Sequence, residues 1–80
     1  EIINPVYEYL EVFISGLVKD LNYTLGNMNG RILKNGNFTR VENERISIPI
    51  GQYPPGVYWI RFQSGSGAVR TIKFIKLDTR

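Results

Sequence analysis

Few side chains in this sequence could do chemistry. Seven acidic residues and ten basic ones are spread through 80 residues, and histidine and cysteine are both absent. Without histidine there is no ordinary general base near neutral pH. Without cysteine there is no thiol nucleophile, and most transition-metal ligands are gone as well. Ser15, Ser47, Ser64 and Ser66 have no histidine to activate them, so a hydrolytic triad is excluded. A carboxylate pair working on a glycosidic bond would have to come from Glu8, Glu11, Asp20, Glu42, Glu44 and Asp78. Glu8 and Glu11 have opposite strand parity and should not share a face. Glu42 and Glu44 share parity, but they stand in a polar stretch with little to desolvate them. The same stretch, Glu42-Asn43-Glu44, offers calcium fewer oxygen ligands than such sites use.

The remaining candidates concern binding. Trp59, with Tyr58, Arg61 and Phe62 beside it, reads either as a core residue or as an exposed ring that stacks on sugars or bases. Gly65-Ser66-Gly67 is a hairpin connection and not a phosphate loop, because no Lys-Ser or Lys-Thr follows it. The triplets Asn22-Tyr23-Thr24 and Asn37-Phe38-Thr39 would be glycan acceptors only in a eukaryotic secretory context. The net charge of +3 comes from scattered residues such as Arg31, Arg45, Arg61 and Lys73. Scattered charges on strands read as solvated faces. A basic surface meeting an acidic partner or anionic lipid is the sharper alternative.

These residues need elements to position them, and the elements read as strands. No segment keeps the i, i+3, i+4 apolar spacing of a helix. Leu10, Val12 and Ile14 alternate with their neighbours, as do Leu21, Tyr23 and Leu25. Met28-Asn29-Gly30 turns the chain, and Ile32 and Leu33 begin a return strand. Asn35-Gly36-Asn37 marks a break, and Phe38 to Asn43 reads as a short edge strand or a crossover. Ile46, Ile48 and Ile50 alternate again, with Pro49 favouring an edge or a strand end. Val57 to Phe62 is apolar on both faces, so it is expected to be covered on both sides or to offer one face for contact. A last strand runs from Val69 to Leu77.

Eighty residues make one domain, spanning 1–80. A chain this short buries only about 60–65% of its unfolded surface. No apolar run approaches the roughly 20 residues that span a bilayer as a helix. The strand count points to an all-β domain, a small immunoglobulin-like antiparallel β-sandwich of six to seven strands. A small barrel of the oligonucleotide-binding type is the structural alternative.

The most informative stretch is Pro54-Pro55-Gly56-Val57-Tyr58-Trp59-Ile60-Arg61-Phe62. Two prolines fix φ and withhold amide donors, so a turn is forced directly ahead of a strand. With its surroundings, this stretch resembles the C-terminal sorting domain of the type IX secretion system of Bacteroidota. The resemblance rests on four places in the family order: Asn4-Pro5-Val6, the turn Asn27 to Arg31, Pro54-Pro55-Gly56-Val57-Tyr58, and Lys73-Phe74-Ile75-Lys76. The chain departs from the family at Gly26, where a large apolar residue is usual, and at Tyr53, where leucine is usual. It also runs on through Leu77-Asp78-Thr79-Arg80 beyond the closing lysine segment. The Gly26 departure is expected to weaken its hairpin strand.

The resemblance implies a non-catalytic targeting domain with no cofactor, at the tail of a longer secreted precursor. No signal peptide at Glu1 is consistent with that. It implies transit through the periplasm and delivery to the cell surface or medium. The implied partners are the type IX translocon, outer-membrane shuttle proteins, a sortase-like peptidase and the precursor's own N-terminal cargo domain. It places recognition on Gly30, Pro55, Gly56, Tyr58, Lys73 and Lys76, the two lysines also guarding the last strand against indiscriminate pairing. Nucleic acid and small-molecule substrates are not implied. The alternative from another class is a carbohydrate-binding or adhesive sandwich attached to a secreted enzyme, with Trp59 and Tyr53 as its platform. A single-strand nucleic-acid barrel is a weaker third.

Overall fold

A computed structural model describes residues 7–77. The opening Asn4-Pro5-Val6 and the final Asp78 to Arg80 lie outside the described residues. The described chain is all β, with four strands: β1 (Tyr9–Asn27), β2 (Ile32–Pro49), β3 (Gly56–Gln63) and β4 (Val69–Lys76). They form one antiparallel sheet in the order β2-β1-β3-β4.

The expected six to seven strands of a sandwich are therefore four strands in a single sheet among the described residues. The excess came from breaks that the chain does not make. The β1–β2 ladder runs from Tyr9↔Pro49 to Gly26↔Ile32, straight through Asn35-Gly36-Asn37 and the polar stretch after it. Gly36 stays in the strand because it lies under the Tyr23 ring, where a Cβ would come within 2.6 Å of that ring. Asn37 stays because its side-chain amide donates to Asn22 Oδ1 at 2.8 Å across the ladder.

The hairpin bends elsewhere. Register shifts between Ile14 and Leu17. Gly16 and Asn43 take positive φ there, at 81° and 46°, and Asp20 does so a few residues on, at 53°. Gly16 N–H donates to Asn43 Oδ1 at 2.7 Å, tying the irregular part of β1 to that of β2. The parity that faces inward changes along β1. Leu10 and Val12 are buried ahead of it, and Leu21, Tyr23 and Leu25 after it. Ile14 and Val18 still pack inward with the even-numbered positions, so the change falls between Val18 and Leu21, at the positive φ of Asp20.

The bend lets one core form. Leu10, Val12, Ile46 and Ile48 from the far half of the hairpin share a cluster with Leu25, Ile60, Phe62 and Phe74. Both halves of β1 thus pack into the same interior, so the hairpin folds back over the sheet formed with β3 and β4. β1 meets β3 only from Asn22 to Asn27, which leaves the first half of β1 free to turn over.

Asn43 has a left-handed backbone and also accepts the Gly16 bond. Asn43→Ala should cost about 1–2 kcal/mol in urea unfolding. Asn43→Gly should recover the backbone part of that loss. Equal stability of all three proteins would show that the bend does not depend on this residue.

Candidate functional site

The turn between β1 and β2 is built around Asn27. Its Oδ1 accepts from Asn29 N–H at 3.0 Å and Arg31 N–H at 3.1 Å. Gly30 takes φ 84° and donates its N–H to the Asn27 carbonyl at 3.1 Å. Gly30 is exposed, and a Cβ there would meet nothing within 4 Å. Its backbone angle is therefore what the position requires.

The Pro54-Pro55-Gly56 turn lies at the same end of the sheet, because Asn27 pairs with Tyr58. Pro55 and Gly56 are exposed, and Tyr58 is buried. The Tyr58 hydroxyl donates back to the Pro54 carbonyl. Its ring stacks on Phe74 at 5.9 Å and meets Tyr53 at 6.4 Å. Tyr58 therefore closes the turn from inside, and the exposed prolines are held by a core residue. Tyr53, the departure from the family pattern, donates its hydroxyl to the Leu33 carbonyl at 3.3 Å and so ties this loop to β2.

The two lysines of β4 separate. Lys73 is exposed opposite Trp59. Lys76 is only 2% exposed, on the same face as Phe74, and stands opposite Gly56. Its ammonium donates to the Leu77 carbonyl at 3.3 Å, and its stem packs by Tyr53 and Tyr58. The expectation that both lysines guard the strand is thus corrected for Lys76, whose side chain faces the core. Parity decides this: Phe74 and Lys76 point one way and Lys73 the other.

Trp59 resolves neither as an interior core residue nor as an open platform. It lies half-buried on the outer face of β3, with its indole over Gly26 and Nε1–H bonded to the Asn27 carbonyl at 2.9 Å. A Cβ at Gly26 would come within 2.2 Å of the indole. Gly26 thus makes room for Trp59 on the strand it was expected to weaken. Tyr53 packs on the opposite, core side, so the structure does not bring Trp59 and Tyr53 together as a sugar-binding pair. Val57 is 40% exposed, so the outer face of β3 is not covered among the described residues.

The sequence reading missed Asn27 as a side-chain staple, although asparagine at the first turn position was a usable signal. The charged residues add little. Arg40–Glu42 at 3.0 Å and Arg45–Glu11 at 3.9 Å are exposed ion pairs of small worth. No cluster of His, Cys, Asp or Glu among the described residues could hold a metal ion. Asn43 Oδ1, a conceivable calcium ligand, is committed to Gly16.

Two predictions follow from the turn. Lys76→Met keeps the stem and removes a buried charge, so stability should stay within about 1 kcal/mol. Lys76→Glu should lose several times that, read by urea unfolding, and the reverse order would refute the anchoring role. Burial, with a smaller contribution from Tyr53, pushes the Tyr58 and Tyr23 phenols above their ordinary value of 10.0. The folded state therefore holds these protons more tightly. That contribution is whole below the ordinary value and disappears as pH rises through the folded values. The urea midpoint should hold near neutral pH and fall above about 10, with a shallower fall in Tyr58→Phe. An identical fall in Tyr58→Phe would remove the phenol as its cause.

With this geometry in hand, comparison with known proteins gives one family. The family model described as "secretion system C-terminal sorting domain" matches residues 4–77. That is nearly the whole chain, and the chain belongs to the type IX C-terminal sorting family. Neither a curated protein nor a solved structure matches it at a significant level.

Proposed function

We propose that this sorting domain is a folded address. It sits at the tail of a periplasmic cargo protein and directs that cargo through the type IX outer-membrane translocon to the cell surface or medium. The observation that carries the reading is the family match over residues 4–77. In this reading the folded-over half of the β1–β2 hairpin serves as the second layer of a small sandwich-like body.

An address of this kind works by shape and needs no acid, base or nucleophile. It must present exposed features on a rigid body, and it must do so only when folded. The end of the sheet bearing both turns suits that task. Gly30, Pro55 and Gly56 are exposed there, and Tyr58 holds the second turn from beneath. Lys73 adds a solvent-facing charge on the neighbouring strand. Within this proposal these four, with Tyr58 and Lys76 as their internal supports, form what the translocon or its shuttle proteins recognise. A sortase-like peptidase would act afterwards, at the junction with the cargo.

The test is a fusion of residues 1–80 behind a fluorescent reporter with a periplasmic signal peptide. It is expressed in a Bacteroidota strain with an intact type IX system and in a translocon-null strain. Reporter should reach the surface or medium only in the intact strain. Retention in the periplasm of both strains, folded and uncleaved, would overturn the reading. Deleting β4 is a poor control because it also removes Phe74 from the core. The exposed change Lys73→Glu is better: it should leave the fold intact and cut export severalfold.

A further inference from the structure

At the other end of the sheet, away from both turns, lies an open groove of about 800 Å³. Val12 to Ile14 and Leu17 border it along β1, and Val69, Arg70 and Ile72 along β4. Phe62 and Leu21 lie between. Successive residues of a strand point to opposite faces. Three consecutive residues of β1 on one groove therefore mean that the strand presents its edge, not a face.

Among the described residues, the Tyr9 to Ile14 part of that edge has no strand beside it, whereas Gly65 N–H closes it further along at the Lys19 carbonyl, at 3.1 Å. From Tyr9 to Ile14, β1 pairs with β2 on one side. Its pairing with β3 starts only at Asn22, so the other side has no strand among the described residues. Strand edges of this kind are ordinarily guarded by lysine or proline. Tyr9 to Ile14 contains neither; its one charge, Glu11, reaches to Arg45 on β2. Large apolar side chains stand exposed around the groove instead, with Phe13 and Leu17 each at 48% and Val69 at 56%.

We infer that this groove is a binding site for an extended peptide strand of a partner protein, added along the free edge of β1 with alternate apolar side chains inserted over Leu21 and Phe62. An unpaired ladder beside an apolar floor calls for a ligand with both backbone donors and acceptors and apolar side chains at every second position. An acyl chain could fill the floor, but it would leave the ladder unpaired. Lys19 and Arg70 at the rim outnumber Asp20, so the strand should carry an acidic residue beside its apolar run. This site stands apart from the turn end and does not depend on the sorting role.

The probe is a capped synthetic peptide of alternating valine and threonine with glutamate at each end, titrated into the 80-residue chain. Saturable binding is expected, with amide exchange slowed at residues 12–14. Leu17→Asp and Val69→Asp alter exposed positions and should preserve the fold, yet weaken binding roughly tenfold each. Ile32→Asp, away from the groove, is the control and should bind normally. Three outcomes would overturn the inference. One is no saturable binding, or binding indifferent to both groove variants. Another is protection of residues 12–14 by concentration alone, which would make the occupant a second copy of this chain. The last is protection by phosphatidylglycerol vesicles but not by the peptide, which would make it a lipid surface.

Discussion

The bend across Gly16 and Asn43 is the constraint on which the rest of the structure depends. A four-stranded sheet with one apolar face has nothing to bury that face against in a chain this short. The bend supplies a cover by turning the outer half of the β1–β2 hairpin over the inner half. Leu10, Val12, Ile46 and Ile48 then complete the interior around Leu25, Ile60 and Phe74. The bend costs two non-glycine residues in left-handed backbone, Asp20 and Asn43. The Asn43 side chain offsets part of that cost by accepting the Gly16 N–H at 2.7 Å. Asparagine and aspartate are the residue types that tolerate such angles, so the polar character of this stretch is structural.

Two glycines inside strands make the same point on opposite faces of the sheet. Gly36 lies beneath Tyr23, its ladder partner, on the core side, and Gly26 lies beneath Trp59, also its partner, on the outer side. A glycine in a strand forfeits side-chain contacts and backbone rigidity. A ring laid across the bare backbone restores the contacts, as aromatic residues do for glycines in designed sheets. At Gly26 the arrangement also lets the indole N–H satisfy the Asn27 carbonyl, so strand pairing and turn are joined by one side chain.

The strand character of this chain was legible because alternation is a local property. Leu10 to Ile14, Leu21 to Leu25 and Val57 to Phe62 all lie in strands, the last strand runs from Val69 to Lys76, one residue short of the expected Leu77, and the Asn-Gly turn is a turn. The strand count was not legible, because glycine and asparagine punctuate both turns and bulges. Only a distant partner decides which, and that partner was Tyr23 for Gly36 and Gly16 for Asn43. A trace was present in the parity change between Val12 and Leu21, which an unbroken strand shows only where its backbone departs from the regular pleat. The burial of Lys76 was also legible, since it shares parity with Phe74. Charge alone suggested a surface role, and period two overruled it.

β4 has two jobs that cannot be separated. Its inward side contributes Phe74 and Lys76 to the interior, and its outward side presents Lys73. The turn before β3 is likewise two-sided, with exposed prolines held by the buried Tyr58 hydroxyl and a ring stacked on Phe74. The exposed features at that end of the sheet therefore exist in register only when Phe74 is in place. A partner that reads them reads the folded state of the domain as well as its sequence. In the proposed role this makes the address conditional: a misfolded domain shows the same residues, but not the same surface.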